Sequence, residues 1–297
     1  MKRTAYGPRP TARRSTPFEL EKLLADTLAI IDGSDDRISI RHLFYRLVSR
    51  GSIPKTETAY KGLRSHLTKW RRACAVRWDS FTDNTRWHIK TRTFDDMREA
   101  LDETVSTYRR NMWATQPFYV EAWVEKDAIA GMVSGVADSF GVPTFVCRGN
   151  ASLTSLHNAA ETFKDAAEKG KRPLILYLGD HDPSGLCIDK SAHTSLRDDF
   201  GVEVDFRRIA VTPAQIADLS LQTRPVKLTD SRARGWQGGC VEVDAIEPAT
   251  IKELVRDAIT GLVDAVAWAS LRQVEEMERE TLRATLIQPE ADGEEAF

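Results

Sequence analysis

The sequence predicts an α/β protein, with a mostly parallel sheet in its C-terminal half and a smaller helical domain before it. From residue 118 onward, short apolar runs of strand length alternate with runs of helical periodicity, which is typical of repeated βα units. The charge also divides along the chain. Residues 1–120 carry 23 Lys and Arg against 14 Asp and Glu, whereas residues 121–297 carry 19 against 30. This division favours a polyanion-binding domain joined to an acidic domain.

The composition argues against several classes of protein. With 41% hydrophobic and 29% charged residues, the chain is typical of globular proteins. The longest apolar run, 258–271, is too short to span a bilayer and contains Asp264. The basic N-terminus has no apolar segment after it, so we expect no signal peptide and a cytoplasmic location. Four widely spaced cysteines without a C-x-x-C motif favour neither a zinc site nor a disulfide framework.

The N-terminal part has the element order of a winged helix-turn-helix DNA-binding domain, over residues 16–92. Residues 1–15, rich in Arg and Pro, are expected to form a flexible basic arm. Thr16, Pro17 and Glu19 then carry the signature of a helix start. The predicted helices cover about 17–31, 39–49 and 57–72, and the predicted short strands cover 78–81 and 87–89. Three helices followed by a β-ribbon are typical of the winged helix.

The sequence of the C-terminal part predicts a doubly wound domain over residues 118–286. A helix at about 94–111, within a connecting segment at 93–117, leads into it, and an acidic tail at 287–297 follows it. The predicted strands cover 118–124, 144–147, 174–178 and 202–211. The predicted helices cover about 127–140, 152–169, 185–199 and 248–286. Units of this length imply a parallel sheet with helices on both faces.

Acidic side chains follow two of the predicted strands. Glu125 comes directly after the run 118–124, and Asp180 and Asp182 follow the run 174–178. Ligands of open α/β sheets bind beyond the carboxyl ends of the strands, and carboxylates are ligands that Mg²⁺ prefers. We therefore predict a Mg²⁺ site at this edge. The simpler structural explanation is that the D-x-D sequence before Pro183 is a capped turn.

Three segments of this domain resemble a known family. Val124–Ala128, Arg148–Asn150 and Gly179–Gly185 have the order and spacing of the Toprim domain, over about 118–211. The D-x-D-P-x-G form is most similar to the A subunit of topoisomerase VI and the related meiotic double-strand-break protein. The resemblance implies that Glu125 is a metal ligand or general acid/base and that Asp180 and Asp182 bind Mg²⁺. It also implies that Lys126 and Arg148 lie near the phosphates.

The second predicted helix carries a candidate nucleophile. Ile40, Leu43, Phe44 and Leu47 share one apolar face, and Tyr45 falls off this stripe, one turn after Arg41. A phenol beside an arginine is suited to attack a phosphate. The segment 41–45 resembles the R-x-x-Y/F-Y signature of the same family, whose last Tyr forms a 5′-phosphotyrosyl link with DNA. A tyrosine that packs at the helix–wing junction or stacks on DNA is an equally weighted alternative.

The third predicted helix has the character of a DNA-recognition helix. Tyr60, Leu63, Leu67 and Trp70 form its apolar side. Seven polar residues that turn outward or to the flanks include no acid, a composition that favours phosphate contacts over an ordinary solvated face. They are Lys61, Arg64, Ser65, Thr68, Lys69, Arg71 and Arg72. The predicted phosphate or DNA contacts are Lys61, Arg64, Lys69, Arg71 and Arg72 on this helix, with Arg77 and Arg86 in the wing.

Three further features are left open by the sequence. Residues 222–240 are predicted to form a long loop, in which the segment 225–236 mixes cations, a carboxylate and Trp236. This segment closes over the site, holds a phosphate or is merely mobile. The run 241–245 alternates like an edge strand, so Glu242 and Asp244 are expected on a solvated face. His181 lies between the two aspartates, but its side chain is expected to point away from theirs.

These features together predict Mg²⁺-dependent cleavage of DNA, with Tyr45, Arg41 and Glu125 as catalytic residues. Two alternatives remain: a hydrolytic nuclease that uses water in place of Tyr45, and a DNA-binding protein without catalysis. The family resemblance implies double-stranded DNA as substrate, and a homodimer in which the Tyr of one protomer works with the acidic site of the other. No ATPase segment is recognisable, so strand passage would need a separate ATPase subunit.

Overall fold

A computed structural model describes residues 16–34, 37–81, 91–226, 233 and 236–287. The chain divides into two compact units, residues 1–82 (unit 1) and residues 83–297 (unit 2). The predicted basic arm, the second predicted ribbon strand at 87–89 with Arg86, and the tail from residue 288 lie outside the described residues.

Unit 1 contains the three helices that the sequence predicts. They are α1 (Pro17–Asp32), α2 (Ile40–Ser49) and α3 (Glu57–Arg72). Each begins where a hydroxyl side chain accepts a hydrogen bond from the backbone N–H three residues later, and these caps are Thr16, Ser39 and Thr56. The helices bury apolar side chains such as Ile30, Leu43, Leu47, Leu63 and Leu67.

The prediction that residues 78–81 form the first strand of a β-ribbon is wrong. Trp78–Ser80 forms a single 3₁₀ turn, and Phe81 makes one parallel bridge with Ile38. The Trp78 ring stays exposed beneath the Arg71 guanidinium. The sequence pattern of alternating bulky residues suited a strand, but the backbone of this segment pairs at one residue only.

Unit 2 is an α/β unit with a four-stranded parallel sheet in the order β2-β1-β3-β4. The strands are β1 (Phe118–Val124), β2 (Thr144–Val146), β3 (Arg172–Leu178) and β4 (Asp205–Ala210). The helices are α4 (Met97–Thr107), α5 (Asp127–Ser139), α6 (Leu153–Glu168), α7 (Pro183–Asp198), α8 (Pro213–Asp218), α9 (Pro248–Thr260) and α10 (Ala265–Ile287). This confirms the predicted α/β class and the predicted parallel sheet.

The sheet is covered on both faces because successive strand residues point to opposite sides. Val120, Ala122 and Val124 of β1 belong to the core shared with α5 and α9. Trp123 of β1 and Tyr177 of β3 belong to the core shared with α6 and α7. The two central strands, β1 and β3, are therefore almost wholly buried, and only their ends can present polar groups to a ligand.

Several predicted boundaries shift by one or a few residues. The helix predicted from residue 185 begins at Pro183, because Asp182 caps it and Pro is suited to the first helical position. The helical run predicted for 248–286 is two helices, separated at 261–264. In the break, the Asp264 N–H donates to the Gln116 side chain, and the Asp264 carboxylate accepts from the first turn of α10.

A buried acid on β1 generates a prediction about pH and stability. The Glu121 carboxylate accepts hydrogen bonds from Trp123 Nε1 at 2.7 Å and from the Tyr119 hydroxyl at 3.0 Å. Burial raises the pKa of Glu121 above its ordinary value, against the opposing effect of these two donors. The folded state thus favours the protonated carboxyl, and the stability this gives is lost as pH rises through the folded pKa.

Replacement of Glu121 by Gln removes this ionisation while it keeps the shape of the side chain. We expect the melting temperature of Glu121→Gln, relative to wild type, to be more favourable at about pH 8 than at about pH 4.5. Circular dichroism melts at the two pH values measure this, with exposed Glu168→Gln on α6 as control. If Glu121→Gln differed from wild type in melting temperature by the same amount at both pH values, the raised pKa of Glu121 would be contradicted.

Candidate functional site

The ends of β1 and β3 lie side by side and bring the first two acidic residues together. The register pairs Val124 with Leu178, and the Glu125 N–H donates to the Leu178 carbonyl at 2.9 Å. Glu125 Oε2 then accepts from the Asp180 N–H at 2.8 Å. The parallel pairing of two central strands therefore places Glu125 against the loop that carries Asp180 and Asp182.

Burial controls the acidity of Glu125. Its side chain lies beside Asp180 and near the Tyr177 hydroxyl, which is 3.5 Å from Oε2. Burial, and after it the charge of Asp180, raises the pKa of Glu125 to about 6. A carboxyl group with a pKa near neutrality is suited to take up and release a proton.

Asp180 is held by two donors. Oδ1 accepts from the Val243 N–H at 2.9 Å, and Oδ2 lies 2.8 Å from the Lys126 ammonium. The residue is only 6% exposed. Burial raises the pKa of Asp180, and the neighbouring Lys126 opposes this effect.

Asp182 caps helix α7. Its Oδ1 accepts from the Gly185 N–H at 2.8 Å, which is the capped turn that the sequence offered as the simpler explanation. Its Oδ2 lies 3.5 Å from the Arg224 guanidinium, a cation that the sequence did not single out. One oxygen of Asp182 thus has a structural role, and the other faces a cation.

Lys126 is surrounded by acids. Besides Asp180, its ammonium lies 3.2 Å from Glu242 Oε2 and 3.4 Å from Asp244 Oδ1. Burial lowers the pKa of Lys126, but Asp244, Asp180 and Glu242 together outweigh it, so the pKa is raised. In this structure Lys126 contacts carboxylates, whereas the family resemblance predicts contact with phosphates.

The expectation that residues 241–245 form a solvated edge strand is wrong. Val241 makes a single antiparallel bridge with His181, and Val243–Ala245 forms a 3₁₀ turn. Asp244 is fully buried rather than exposed, and Glu242 is largely buried. Alternation of apolar and acidic residues also occurs when acids turn inward to meet a cation, and sequence periodicity does not distinguish the two cases.

Arg208 on β4 is a functional candidate that sequence analysis missed. Its guanidinium donates to the carbonyls of Gly179, Asp180 and Gly185 at 2.9, 3.1 and 3.0 Å, and its Nε donates to Asp189. It thus fixes both sides of the loop that carries the two aspartates. One signal in the sequence could have identified it. Arg208 lies within a predicted strand, and a cation in a sheet with two covered faces needs buried hydrogen-bond partners.

His181 and Trp236 lie together beside this loop. Their ring centroids are 5.2 Å apart. Burial, and after it Arg208, lowers the pKa of His181. All four charged residues in the predicted 225–236 loop lie outside the described residues. Arg148, the other predicted phosphate contact, is half-exposed and pairs with Asp127 at 2.9 Å.

In unit 1, the structure buries the candidate nucleophile. Tyr45 is 8% exposed and packs edge-to-face on Phe44, although it falls off the apolar stripe of α2. This burial agrees with the alternative in which Tyr45 packs within the domain, and it leaves the role of nucleophile as a prediction. Two cations lie over its ring: the Arg41 guanidinium is 5.9 Å from the ring centroid, and Lys55 Nζ is 5.3 Å from it.

The predicted cations of α3 divide into two groups. Lys61 pairs with Glu57 at 2.8 Å, and Arg71 lies over the Trp78 ring and donates to its carbonyl. Arg64, Lys69 and Arg72 are exposed. These three residues are the ones most available for phosphate contacts, and Arg86 lies outside the described residues.

The acidic residues suit a hard cation in donor type and charge. Among the described residues, five carboxyl groups face two cations. The acids are Glu125, Asp180, Asp182, Glu242 and Asp244, and the cations are Lys126 and Arg224. Within the same described residues, however, no three acidic, His or Cys side chains are arranged as a ready metal cage. Lys126 and Arg224 supply the positive charge in this structure.

Comparison with protein-family models, with curated proteins and with solved structures found no match. Among the described helices, none is long and apolar enough to cross a membrane.

The loop between β3 and α7 generates a prediction about glycine. A Cβ at Gly185 would lie against the Asp180 carbonyl oxygen, which is backbone and cannot move away freely, and a Cβ at Gly179 would lie 2.6 Å from Glu125 Oε2. We expect Gly185→Ala to lower the free energy of unfolding by about 1–3 kcal/mol, as overpacking does. Urea titration measures this change.

Gly135 provides the matched control for this variant. It lies inside helix α5 and has open space where a Cβ would be. We expect Gly135→Ala to be neutral or to stabilise the protein by up to about 1 kcal/mol, since Ala favours helix over Gly. Equal effects of the two substitutions would show that the close approach at Gly185 is unimportant.

Proposed function

We propose that this chain is a Mg²⁺-dependent DNA-cleaving enzyme that resembles the A subunit of topoisomerase VI, with a DNA-binding domain of the winged-helix kind and a Toprim-like domain. The observation that carries the proposal is the contact between Glu125 Oε2 and the Asp180 N–H, at 2.8 Å. It joins the first and the last of the three segments that resemble the Toprim domain. A structural role alone does not call for several acids to be concentrated at this edge.

Glu125, Asp180 and Asp182 would hold the metal ion. Mg²⁺ generally takes one or two protein carboxylates and keeps waters for exchange with a phosphate substrate, so this set is sufficient. When bound, the ion supplies charge stabilisation for a phosphodiester and for its leaving oxygen. The excess of carboxyl groups over cations in the site supports this assignment.

As an alternative to its role as a metal ligand, Glu125 is the candidate general acid or base. When it does not bind the metal ion, its pKa of about 6 lets it exchange a proton near neutral pH. Arg208 fixes the backbone of the neighbouring loop, and Arg148 extends from the same edge of the sheet as a half-exposed cation. These residues provide proton transfer, rigidity and phosphate attraction.

In the leading version, Tyr45 is the nucleophile. Its phenol loses a proton, and the phenol oxygen forms a bond to phosphorus while the bond from phosphorus to the 3′ oxygen breaks. The departing 3′ oxygen takes up a proton, so the products are a 5′-phosphotyrosyl link and a free 3′ hydroxyl. Arg41, over the tyrosine ring at 5.9 Å, would stabilise the phenolate. By analogy with the family, the protein acts as a homodimer on double-stranded DNA, with a separate ATPase subunit for strand passage.

Specific observations favour the two alternatives. The burial of the Tyr45 ring favours a hydrolytic nuclease in which water attacks. The ion pair between Lys126 and Asp180 favours a DNA-binding protein whose acidic residues have a structural role. The three versions differ in what they leave on DNA, and one experiment therefore separates them.

Plasmid cleavage is the test of the proposal. Supercoiled plasmid is incubated with the protein and Mg²⁺, and the products are run on a gel with and without protease digestion. We expect cleavage that requires Mg²⁺, and protein bound to the 5′ ends. Asp180→Asn is expected to lose at least about 100-fold in rate, since it weakens the binding of the metal ion that would stabilise the negative charge of the transition state. Exposed Asp165→Asn on α6 is the control.

Tyr45→Phe decides which nucleophile acts. If this variant is inactive and keeps its melting temperature, Tyr45 is the nucleophile. If it cuts DNA as well as the wild type and leaves free ends, water is the nucleophile. Wild-type activity in Asp180→Asn, or no cleavage by any form of the protein, would leave only the DNA-binding alternative.

DNA binding generates a separate prediction on α3. We expect Lys69→Gln to weaken binding to unrelated duplexes by similar factors and to reduce the slope of log affinity against log salt by about 1, as the loss of one phosphate contact does. Fluorescence anisotropy measures both effects. Lys22→Gln, an exposed cation on α1, is the control. An unchanged salt slope would remove Lys69 from the DNA interface.

A further inference from the structure

The ammonium of Lys126 already occupies the place of a cation in the acidic site. It lies 2.8, 3.2 and 3.4 Å from the carboxylates of Asp180, Glu242 and Asp244. An ammonium group has three N–H donors, so three carboxylates match its capacity. The side chain is about one-fifth exposed, and the Asp244 side chain is fully buried. Lys126 thus joins the end of β1, the end of β3 and the segment 242–244.

This arrangement conflicts with two simple roles for the residue. An ammonium that donates to three carboxylates has no donor left for a phosphate. A divalent cation bound to Asp180 would lie close to a positive charge already in contact with the same carboxylate, and the two cations would repel each other. A metal ion and the observed position of Lys126 are therefore mutually unfavourable.

We propose that Lys126 is a built-in counter-cation that competes with the divalent metal ion for the Asp180 carboxylate. Without metal, Lys126 keeps the acids assembled. When metal binds, the ammonium leaves Asp180 and becomes available to contact a phosphate oxygen of the substrate. The inference rests on the metal site of the proposed function, but it concerns ion binding and does not require DNA cleavage.

Lys126→Met tests the competition on the full-length protein without DNA. Methionine keeps much of the length of the side chain and removes the charge. We expect the variant to bind Mn²⁺ at least about tenfold more tightly than the wild type, measured by isothermal titration calorimetry and by electron paramagnetic resonance of free Mn²⁺, since the competing cation is gone. We also expect its melting temperature to fall without metal and to recover more than that of the wild type when Mn²⁺ is added.

Lys164→Met on α6, at a partly exposed lysine whose ion pair with Glu161 is lost, is the matched control and should leave Mn²⁺ affinity unchanged. An Mn²⁺ affinity of Lys126→Met that is equal to or weaker than that of the wild type would overturn the proposal. The same holds if neither protein binds Mn²⁺.

A second measurement uses the wild-type protein and does not depend on the folding of a variant. Reductive methylation of lysines, followed by peptide mass spectrometry, reports how accessible each amine is. We expect the methylation rate of Lys126 to rise several-fold when Mn²⁺ is added, because the ammonium leaves the carboxylates. A rate that is unchanged or lower would contradict the proposal.

The outcomes separate this inference from the proposed function. Tighter Mn²⁺ binding by Lys126→Met, together with an absence of DNA cleavage by the wild type, would support the competition and refute the enzyme. Cleavage by the wild type with equal Mn²⁺ affinities would support the enzyme and refute the competition.

Discussion

The parallel pairing of β1 with β3 is the constraint on which the candidate site depends. The chain runs from β1 outward to β2 on one side and from β3 outward to β4 on the other, so the strand order changes direction between the two central strands. Ligands of doubly wound sheets bind at this kind of crevice, beyond the carboxyl ends of the strands. The register of Val124 with Leu178 then determines that Glu125 meets Asp180. A shift of one residue would turn these side chains toward opposite faces of the sheet.

Charge compensation is the second constraint, because the site concentrates acids where water is largely excluded. Burial raises the pKa values of Glu125 and Asp180, although the neighbouring Lys126 opposes this effect. Lys126 compensates the charge of Asp180, Arg224 lies beside Asp182, and Arg208 satisfies the carbonyls of the same loop. A buried ion pair often contributes little net stability. A role in the chemistry of the proposed site therefore explains this concentration of buried charges more easily than a contribution to folding does.

The two units contribute different physical properties to the proposed function. Unit 1 presents exposed cations on α3, which suit phosphate contacts that are independent of sequence. It also holds Tyr45 under two cations within its core, which constrains how DNA could reach the phenol. Unit 2 supplies a rigid sheet edge with titratable carboxyl groups. Under the proposed function, attraction of a polyanion and chemistry on a phosphodiester would thus belong to different units of the chain.

The sequence by itself determined the three N-terminal helices, the α/β class and the strand ends that carry Glu125, Asp180 and Asp182, because caps, periodicity and breakers are local signals. Only the tertiary structure decided where the charges pair. Residues 241–244 come more than 100 positions after Lys126 along the chain, and local alternation predicted an exposed strand there. Arg208 and the burial of Tyr45 were missed for the same reason. The partners of a side chain depend on which segments, distant in sequence, pack against it. Local sequence patterns do not specify these tertiary contacts.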